Sequence, residues 1–498
     1  MVSQRLFGGS IVTVIMLALA GCTVGPNFKK PALPSPDSFA SPPGAAKVPS
    51  VTVAEPIDPA WWNIFNDSEL TSLESRVASA NLDVATATIR IAESRSQETI
   101  TGAAALPQLN GDANATAERV SPRGVFGLFG GSGNLHGSSS VPLGGISLQP
   151  FVLYQYGFDA SWEPDLWGKV RRSEEAAKAD TTEAEADRRN SLLSALAEVA
   201  RDYISLRGIQ TNLAITEKNI ATAKQTLQLT SDRANSGLAS ELDVDNASAD
   251  LSNEQSEIPS LEDQQSQMIN RLSYLLGETP GALAPELTEA EPVPPTPPQV
   301  PVGLPSELAE RRPDIQAAEA DLHAATAQIG MAKADFYPSI SLTGSLDLQA
   351  LKLKDLANWG ARTYSAGPAL SLPIFEGGRL VGQLHLREEQ QQESAIAYQR
   401  TVLSAWHEVD NALSSYRAEQ LRRDQLKLSA DAQAKALGLA RDRYRQGLAD
   451  FLSVLDAQRQ LLTTQQELAI STTTVSTNLV VLYKALGGGW ETSFPASE

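Results

Sequence analysis

Cysteine and histidine are scarce in this sequence, and their scarcity excludes several kinds of site. Cys22 is the only cysteine among 498 residues, so no disulfide can form within the chain. The four histidines show no spacing typical of a metal site, and no glycine-rich phosphate-binding loop follows a predicted strand. The histidines are His136, His323, His385 and His407. We therefore expect a protein that is not an enzyme and has no cofactor and no metal.

Aromatic residues and positive charge are also in short supply. Aromatic residues make up 6% of the chain and hydrophobic residues 42%, much of that alanine, so a large conventional globular core is not expected. Alanine, glutamine, leucine and charged residues dominate the middle stretches, which is typical of extended helices and coiled coils. The formal net charge of −19 argues against a nucleic-acid partner, because phosphate backbones are bound by clustered lysine and arginine.

The N-terminal residues have the pattern of a secretory signal peptide. Arg5 supplies a positive charge, an apolar stretch follows over residues 11–19, and small residues close it. The apolar stretch is about half of the ~20 residues that a transmembrane helix needs. We therefore predict a signal peptide over residues 1–21.

Cys22 directly follows Leu-Ala-Gly, which resembles a bacterial lipoprotein box, where the cysteine becomes the lipidated first residue. The alternative is a chance cysteine beside an ordinary cleavage site. Thr23 rather than an aspartate comes next, and by resemblance to sorted lipoproteins this favours the outer membrane. We expect residues 22–60 to form a lipidated, extended segment that anchors the protein to outer-membrane lipid.

The sequence is duplicated, with matching segments 210 positions apart. The clearest pairs are Gly237-Leu238-Ala239 with Gly447-Leu448-Ala449, and Leu276-Gly277 with Leu486-Gly487. We predict two structural repeats, residues 61–279 and 306–490, and a C-terminal tail, residues 491–498. The proline-rich linker between the repeats, residues 280–305, is expected to have polyproline character and no helix.

Both repeats carry apolar residues at seven-residue intervals, which is typical of helices that supercoil against neighbours. The predicted order within each repeat is helix, strand, strand, helix, helix. The seams are Leu70, Val77, Val84 and Ile91; Leu192, Val199, Leu206, Leu213, Ile220 and Leu227; Leu308, Ile315, Leu322, Ile329 and Phe336; and Val454, Leu461, Leu468, Val475 and Leu482. The helix predicted over residues 169–236 would be on the order of 100 Å long, a length suited to a conduit across a periplasm.

Between the helices the apolar period changes from seven to two, which predicts two pairs of strands. The predicted strands cover residues 107–116, 151–162, 338–348 and 366–373. Each has about the 9 to 11 residues of a tilted transmembrane strand. The Gly/Ser-rich residues 118–149 are expected to form an external loop, with residues 351–362 as its shorter counterpart.

Four strands leave two unpaired edges, and an open edge in a bilayer leaves backbone donors and acceptors without partners. The sheet must therefore close with other copies of the chain. Two copies would give eight strands around a filled interior, whereas three would give twelve strands and a lumen, so barrel geometry favours three or more copies. We predict an internally duplicated α+β membrane protein with a long α-helical coiled-coil barrel and a transmembrane β-barrel of four strands per chain.

Several segments, in the expected order, resemble the lipoprotein branch of the TolC-like outer membrane factors. They are residues 61–70, 311–319, 329–342, 372–378 and 447–459. The resemblance covers nearly all of the mature chain. It implies a homotrimer with a twelve-stranded outer-membrane barrel, an α-helical tunnel, and a periplasmic end that docks on an adaptor protein and an inner-membrane RND pump.

The resemblance further implies the exit duct of a tripartite efflux pump, which carries drugs or other small toxic compounds across the periplasm and the outer membrane. Two alternatives stay open: the outer-membrane duct of a secretion system, and a periplasmic coiled-coil scaffold without a pore. A scaffold would explain the seven-residue repeats but not the paired strands. The lipoprotein box and residues 311–314 resemble the partners of proton-driven multidrug pumps and favour efflux.

The two Gly-Leu-Ala turns separate helices and are predicted to be the ends of two helical hairpins. In the family, the corresponding segments contact the adaptor, which makes Gly237, Leu238, Gly447 and Leu448 the candidate docking residues. The alternative for the glycines is a plain helix C-cap. Capping does not explain an apolar leucine at such a turn.

Asp243, Tyr444 and Asp456 lie beside these turns, and the resemblance implies that they constrict the periplasmic aperture. Three copies of an aspartate around one axis would repel, raise one another's pKa and favour cations. For Asp243 the alternative is a capping box with Ser240, whereas Asp456 has no such box. Ala449 stands where some family members have an arginine, which puts a detailed hydrogen-bonded lock in doubt.

Overall fold

The computed structural model describes residues 23–32, 36, 39, 48–119 and 150–492. Four predicted features lie wholly or mostly outside the described residues: the signal peptide 1–21, the lipidation site Cys22, the loop 118–149 and the tail 491–498. Among the described residues, no helix is both long enough and apolar enough to cross a membrane.

The described residues contain the predicted strand pairs and long helices in the predicted order, together with two three-residue strands and two one-turn helices that were not predicted. The first predicted helix is divided into two at Asn81. The strands are β1 (Val51–Val53), β2 (Gln108–Glu118), β3 (Phe151–Trp162), β4 (Gln299–Pro301), β5 (Ser339–Ala350) and β6 (Arg362–Ser371). The α-helices are α1 (Ser68–Ala80), α2 (Leu82–Gly102), α3 (Lys169–Asn235), α4 (Glu241–Leu275), α5 (Ala284–Leu287), α6 (Leu308–Arg311), α7 (Pro313–Ala334), α8 (Arg379–Arg445) and α9 (Phe451–Ala485).

The duplication is visible in the helix lengths. α3 and α8 each have 67 residues, and α4 and α9 each have 35. The prediction of a helix over residues 169–236 is confirmed to within one residue. Pro313 is the first residue of α7, where a proline costs no hydrogen bond because the first helical N–H groups have no partner within the helix.

Three predictions are wrong in detail. The linker 280–305 contains the one-turn helix α5, and its residues Gln299–Pro301 pair in parallel with β1. Phe336 does not belong to its predicted seam, because α7 ends at Ala334 and the Phe336 side chain is 37% exposed. β6 begins four residues before the predicted start, because Arg362 onwards pairs with β5.

The larger sheet has the strand order β2-β3-β5-β6, with every neighbour antiparallel. The register places apolar side chains on one face and polar side chains on the other, since directly opposed residues share a face. The apolar face includes Leu109, Tyr156, Phe158, Leu342, Leu346, Tyr364 and Leu370, and the polar face includes Asn110, Asp112, Gln155, Asp159, Thr343, Ser345 and Asp347. The apolar face is exposed: Phe158 is 58% and Tyr364 77% accessible.

The described residues form two compact units, each of which draws on both repeats. Unit 1 comprises the residues up to Phe28, Ser96–Lys178 and His323–Gln391, and it contains the four-stranded sheet. Unit 2 comprises Lys29–Arg95, Ala179–Leu322 and the residues from Gln392 onwards.

The core of unit 2 is built from the predicted seams and from the tryptophan-rich segment that follows residue 60. Leu192, Val199 and Leu206 of α3 are fully buried. Trp61 is buried with its ring stacked on Tyr483, 5.4 Å between centroids. This core includes residues of all four long helices, namely Leu206 of α3, Leu272 of α4, Tyr416 of α8 and Leu482 of α9.

Candidate gate and docking site

Two turns in unit 2 carry the candidate docking residues. The first tip is the turn between α3 and α4 (residues 235–241), and the second tip is the turn between α8 and α9 (residues 445–451). Both turns pass through a glycine with positive φ, +75° at Gly237 and +72° at Gly447. No atom lies within 4 Å of a Cβ built on either glycine, so the backbone conformation rather than crowding requires glycine there.

Both helices that lead into the tips end in a Schellman motif. In the first tip, Gly237 N–H donates to the Ala234 carbonyl (2.9 Å) and Leu238 N–H donates to the Arg233 carbonyl (2.8 Å). The second tip repeats the pattern, from Gly447 to Tyr444 (3.0 Å) and from Leu448 to Arg443 (2.8 Å). Capping therefore accounts for both glycines.

Capping does not account for the leucines. Leu238 is 67% and Leu448 64% exposed, although both are large apolar side chains. The Schellman bonds use only their backbone N–H groups, which leaves both side chains facing solvent within unit 2. An apolar residue held outward at the end of a hairpin is suited to contact with another protein.

Asp243 forms the predicted capping box at the start of α4. Its carboxylate accepts hydrogen bonds from Ser240 N–H (3.1 Å) and Ser240 Oγ (2.9 Å), and Asp243 N–H donates to Ser240 Oγ (3.2 Å). One oxygen, Oδ2, accepts both bonds, so the carboxylate is engaged locally while the side chain stays half-buried.

Asp456 is in a different state. It lies on α9 beyond the second tip, it is exposed, and it has no hydrogen bond or ion pair with any residue in the described part of the chain. The helix cap of α9 is supplied instead by Asp450, which accepts hydrogen bonds from Ser453 Oγ and from Ser453 N–H (3.0 Å). These hydrogen bonds from Ser453 lower the pKa of Asp450 and keep it ionised.

Tyr444, a predicted residue of the periplasmic aperture, is buried within the chain. Its ring is 4% accessible and packs against Phe451, with 5.8 Å between centroids. The Arg233 guanidinium lies 4.7 Å from the ring centroid, a cation–π contact between the two hairpins. Within the described residues the hydroxyl has no hydrogen-bond partner.

A polar layer joins the hairpins just behind the tips, with Asp250, Glu254 and Gln458 buried in it, and the sequence did not predict it. From the second hairpin, Arg441 donates to Thr226 Oγ1 (2.9 Å), and Arg459 donates to Asp250 Oδ1 (2.8 Å). Gln458 accepts from Arg441 and donates to Asp250 and Glu254, at 3.4 to 3.5 Å. The one available signal was Gln458 itself, a polar residue between the seam positions Val454 and Leu461.

Burial shifts the pKa of two side chains in this layer, Arg441 and Glu254. It lowers the pKa of Arg441, with a further contribution from Arg445, yet an arginine remains charged at any physiological pH. Burial raises the pKa of Glu254, and Asp250 and Glu257 raise it further, against the opposing effects of Gln458 and Arg459. The second carboxylate oxygen of Glu254 has no partner among the described residues. Glu254 is therefore easier to protonate than a solvent-exposed glutamate.

Comparison with known proteins identifies the family. The sequence model of outer membrane efflux proteins matches two stretches, residues 73–278 and 304–488, which nearly coincide with the two predicted repeats. The chain belongs to the outer membrane efflux protein family. The resemblance proposed from the sequence motifs is thus confirmed.

Curated relatives of this efflux family member match along almost their whole length. The outer membrane protein OprJ of Pseudomonas aeruginosa is 32% identical over 494 residues, covering 97% of this chain and 96% of OprJ. Nodulation protein T of Rhizobium leguminosarum is 32% identical over 475 residues, covering 95% and 96%. The cation efflux system protein CusC of Escherichia coli is 30% identical over 484 residues, covering 96% and 98%.

Solved structures of outer-membrane channels have the same fold as this efflux family member. The channel OprN superposes with a TM-score of 0.82 at 30% identity, covering 94% of this chain and all of that one. CusC superposes with a TM-score of 0.79 at 27% identity, again over 94% of this chain. The chain thus has the fold of an outer-membrane efflux channel.

Proposed function

We propose that this protein is the outer-membrane exit duct of a tripartite RND-type pump and carries drugs or other small toxic compounds out of the cell. Its relative CusC is a cation efflux system protein, which is a transport role rather than a catalytic one. In this proposal the repeats 61–279 and 306–490 each supply one strand pair and one hairpin, joined by the linker 280–305.

The observation that carries the proposal is the exposed apolar face of the four-stranded sheet. In water such a face would drive aggregation, whereas in a bilayer it matches the hydrocarbon core, with the polar face turned to a lumen. β2 and β6 have no partner on their outer edges within the described residues, so the sheet needs further copies to close. Three copies, with twelve strands, form the barrel we propose.

Pro368 of β6 is consistent with an edge strand. It is paired in register with Leu342 and provides no N–H, which only an edge position or a bulge tolerates easily. In the proposed trimer, β6 of one copy pairs with β2 of the next. Because Pro368 has no N–H, that pairing lacks one backbone hydrogen bond at this position.

At the membrane, we propose lipidation of Cys22 and attachment to outer-membrane lipid, with the helical part in the periplasm. In the periplasm, the exposed Leu238 and Leu448, with Gly237 and Gly447, dock on the hairpin of a periplasmic adaptor. Burial of two leucines on docking would provide the apolar contact that an adaptor needs.

We further propose that Asp456 and Asp243 form acidic constrictions at the periplasmic aperture, with Tyr444 holding the second hairpin in place behind them. Asp456 has a free carboxylate, which in three copies would favour cations and resist anions. Asp243 contributes less, since its carboxylate is engaged with Ser240.

Single-channel conductance in planar bilayers tests the proposal. The wild-type trimer should give a small, cation-selective conductance, and Asp456→Ala should raise conductance and weaken cation selectivity. Glu467→Ala is the matched control, because Glu467 is another exposed carboxylate on α9. A folded, inserted protein without any conductance would refute the duct. A conductance that neither Asp456→Ala nor Asp243→Ala changes would support the duct but show that neither aspartate is part of the gate.

A further inference from the structure

The N-terminal segment 23–28 lies on unit 1 through contacts that the proposed duct, gate and docking residues do not use. Its even-numbered residues are half-buried and its odd-numbered residues are exposed, the alternation of an extended segment on a surface. We call residues 23–28 the N-terminal clasp. The segment is short, so its position must be set by a few specific contacts.

Arg172 of α3 supplies the first of these contacts. Its side chain is only 4% exposed and donates to the Val24 carbonyl (3.3 Å) and to Asn27 Oδ1 (2.7 Å). The same guanidinium forms an ion pair with Glu175 at 2.7 Å. A planar guanidinium fixed by three partners has little freedom left, so it holds the clasp in one position.

Two glycines supply the second contact. Gly25 has φ +98°, and a Cβ built on it would lie 2.5 Å from the Cα of Gly330 in α7. A Cβ on Gly330 would in turn lie 2.8 Å from Cγ of Arg172. Clasp backbone, helix backbone and arginine stem therefore pack directly on one another, and any larger residue at either glycine would separate them.

An aromatic stack closes the C-terminal end of the clasp. Phe28 is stacked on His323 of α7, with ring centroids 4.5 Å apart and an interplanar angle of 17°. His323 Nε2 lies 3.0 Å from Glu175 Oε1, so the same carboxylate joins the histidine and Arg172. Both ends of the clasp are thus linked through Glu175.

The clasp also reaches the ends of the central strands. Val24 N–H donates to the Trp167 carbonyl (3.1 Å), in the segment that follows β3. The Trp167 indole donates to the Pro338 carbonyl (2.7 Å), immediately before β5, and its ring stacks on Tyr337 at 4.7 Å. The clasp is therefore tied to the sheet where β3 ends and β5 begins.

We propose that the clasp sets the depth of the N-terminal lipid anchor relative to the sheet, with Arg172 as the positioning residue. Residue 22 is one peptide unit, about 3.8 Å, from Thr23. A free segment of six residues would instead let an anchor range over roughly 20 Å. Acyl chains on Cys22 would thus enter the membrane beside the central strands. The consequence for the anchor rests on the lipidation proposed above, whereas the docking of the clasp does not.

Hydrogen exchange of the full-length mature protein in detergent tests the docking. In Arg172→Met, exchange in the peptide covering residues 23–28 should become about tenfold faster or more, because buried charge-assisted hydrogen bonds are lost. Arg171→Met is the matched control, since Arg171 is the neighbouring arginine, is 42% exposed and pairs with Asp165. Equal protection in wild type and Arg172→Met would overturn the proposal.

Two further variants separate the clasp from the lipid and from misfolding. Gly25→Val removes no charge and should open the clasp as much as Arg172→Met does. Cys22→Ser should leave residues 23–28 protected, and a loss of protection there would mean that the lipid holds the segment. The intact mass of the wild-type N-terminal peptide measures lipidation independently. An unlipidated wild type would refute the lipid anchor, but it would not affect the conclusion that residues 23–28 are docked through Arg172.

The depth itself is read from a spin label on Lys29→Cys, directly after the clasp, in proteoliposomes of the lipidated protein. The label should report one narrow depth in the otherwise unchanged protein and in Arg171→Met, and a broad distribution in Arg172→Met. An unchanged depth in a variant whose clasp exchanges freely would refute depth control.

Discussion

The two tips are copies of one another in backbone but not in side chains. Each ends a 67-residue helix with a Schellman glycine and begins a 35-residue helix with a Ser–Asp hydrogen-bonded cap. In the first tip Ser240 is the N-cap and Asp243 the third residue, whereas in the second Asp450 is the N-cap and Ser453 the third residue. Duplication has thus preserved the turn and exchanged the two side chains that cap it.

In the polar layer behind the tips, the two hairpins differ more than they do in the tips themselves. The second hairpin contributes the donors Arg441 and Arg459, whose counterparts in the first are Ser231 and Ala249. The first hairpin contributes acceptors, including Asp250. The two hairpins are therefore complementary in hydrogen bonding, with charged donors on the second and acceptors on the first. Two identical hairpins could not form these contacts.

The largest expected effect comes from breaking that complementarity. Arg441→Met leaves the buried Thr226 and Gln458 without their half-buried charged donor and should cost about 1–3 kcal/mol in the free energy of local opening. Hydrogen exchange of the second tip measures this opening without requiring global two-state unfolding.

Arg445→Met is the control for Arg441→Met. Arg445 lies one turn further along α8, and its ion pair with Asp442 joins side chains that are 62% and 64% exposed. Its loss should change the opening free energy by no more than about 0.5 kcal/mol. Equal effects of the two substitutions would show that charge alone, not the buried layer, matters.

The exposed leucines offer the next comparison. Leu448→Ser and Leu238→Ser should each weaken binding of a purified periplasmic adaptor about tenfold, because each removes one apolar side chain from the docked surface. Melting should not change, since both side chains are exposed in the free protein. Leu428→Ser, at a 63% exposed position elsewhere on α8, is the matched control. Affinity unchanged in both tip variants would remove the leucines from the docking site.

The exchanged helix caps allow a more specific test, although the expected change in stability is smaller. Ser240→Ala removes the N-cap of α4 and should destabilise the first tip by about 1 kcal/mol. The double variant Ser240→Asp with Asp243→Ser copies the second tip into the first and should be neutral to within about 0.5 kcal/mol. Hydrogen exchange at the start of α4 measures both, and a double variant as damaging as Ser240→Ala would mean that the caps are not interchangeable.

The smallest expected effect is a pH dependence. Burial, with Asp250 and Glu257 nearby, raises the pKa of Glu254 above its usual 4.5. The folded state therefore binds this proton more readily than the unfolded state, and the layer should gain stability as pH falls from above the raised pKa towards 4.5 and lose it as pH rises again. Glu254→Gln, which mimics the protonated form, should show a smaller difference in melting temperature between pH 5 and pH 8 than wild type. An identical difference in both proteins would contradict this assignment.

Local features of the fold and site could be predicted to within a few residues. The seven-residue seams located α3 and α9, and the two glycine turns located the ends of α3 and α8, because periodicity and capping act within about two helical turns. The Ser240–Asp243 box followed from spacing alone. The start of β6 was missed because it depends on pairing with β5, which is a property of two segments.

The sequence alone determined the duplication, the helix and strand order, the exposed leucines' position in turns and the family, since each is written in spacings of a few residues or in a repeated motif. Only the tertiary structure decided that Tyr444 is buried, that Arg441 joins the two hairpins, and that Arg172 holds the N-terminal clasp. The physical reason is distance along the chain. Arg172 and Val24 are 148 residues apart, and Arg459 and Asp250 are 209 apart. No local pattern specifies such partners, because their contact depends on packing of whole helices against one another.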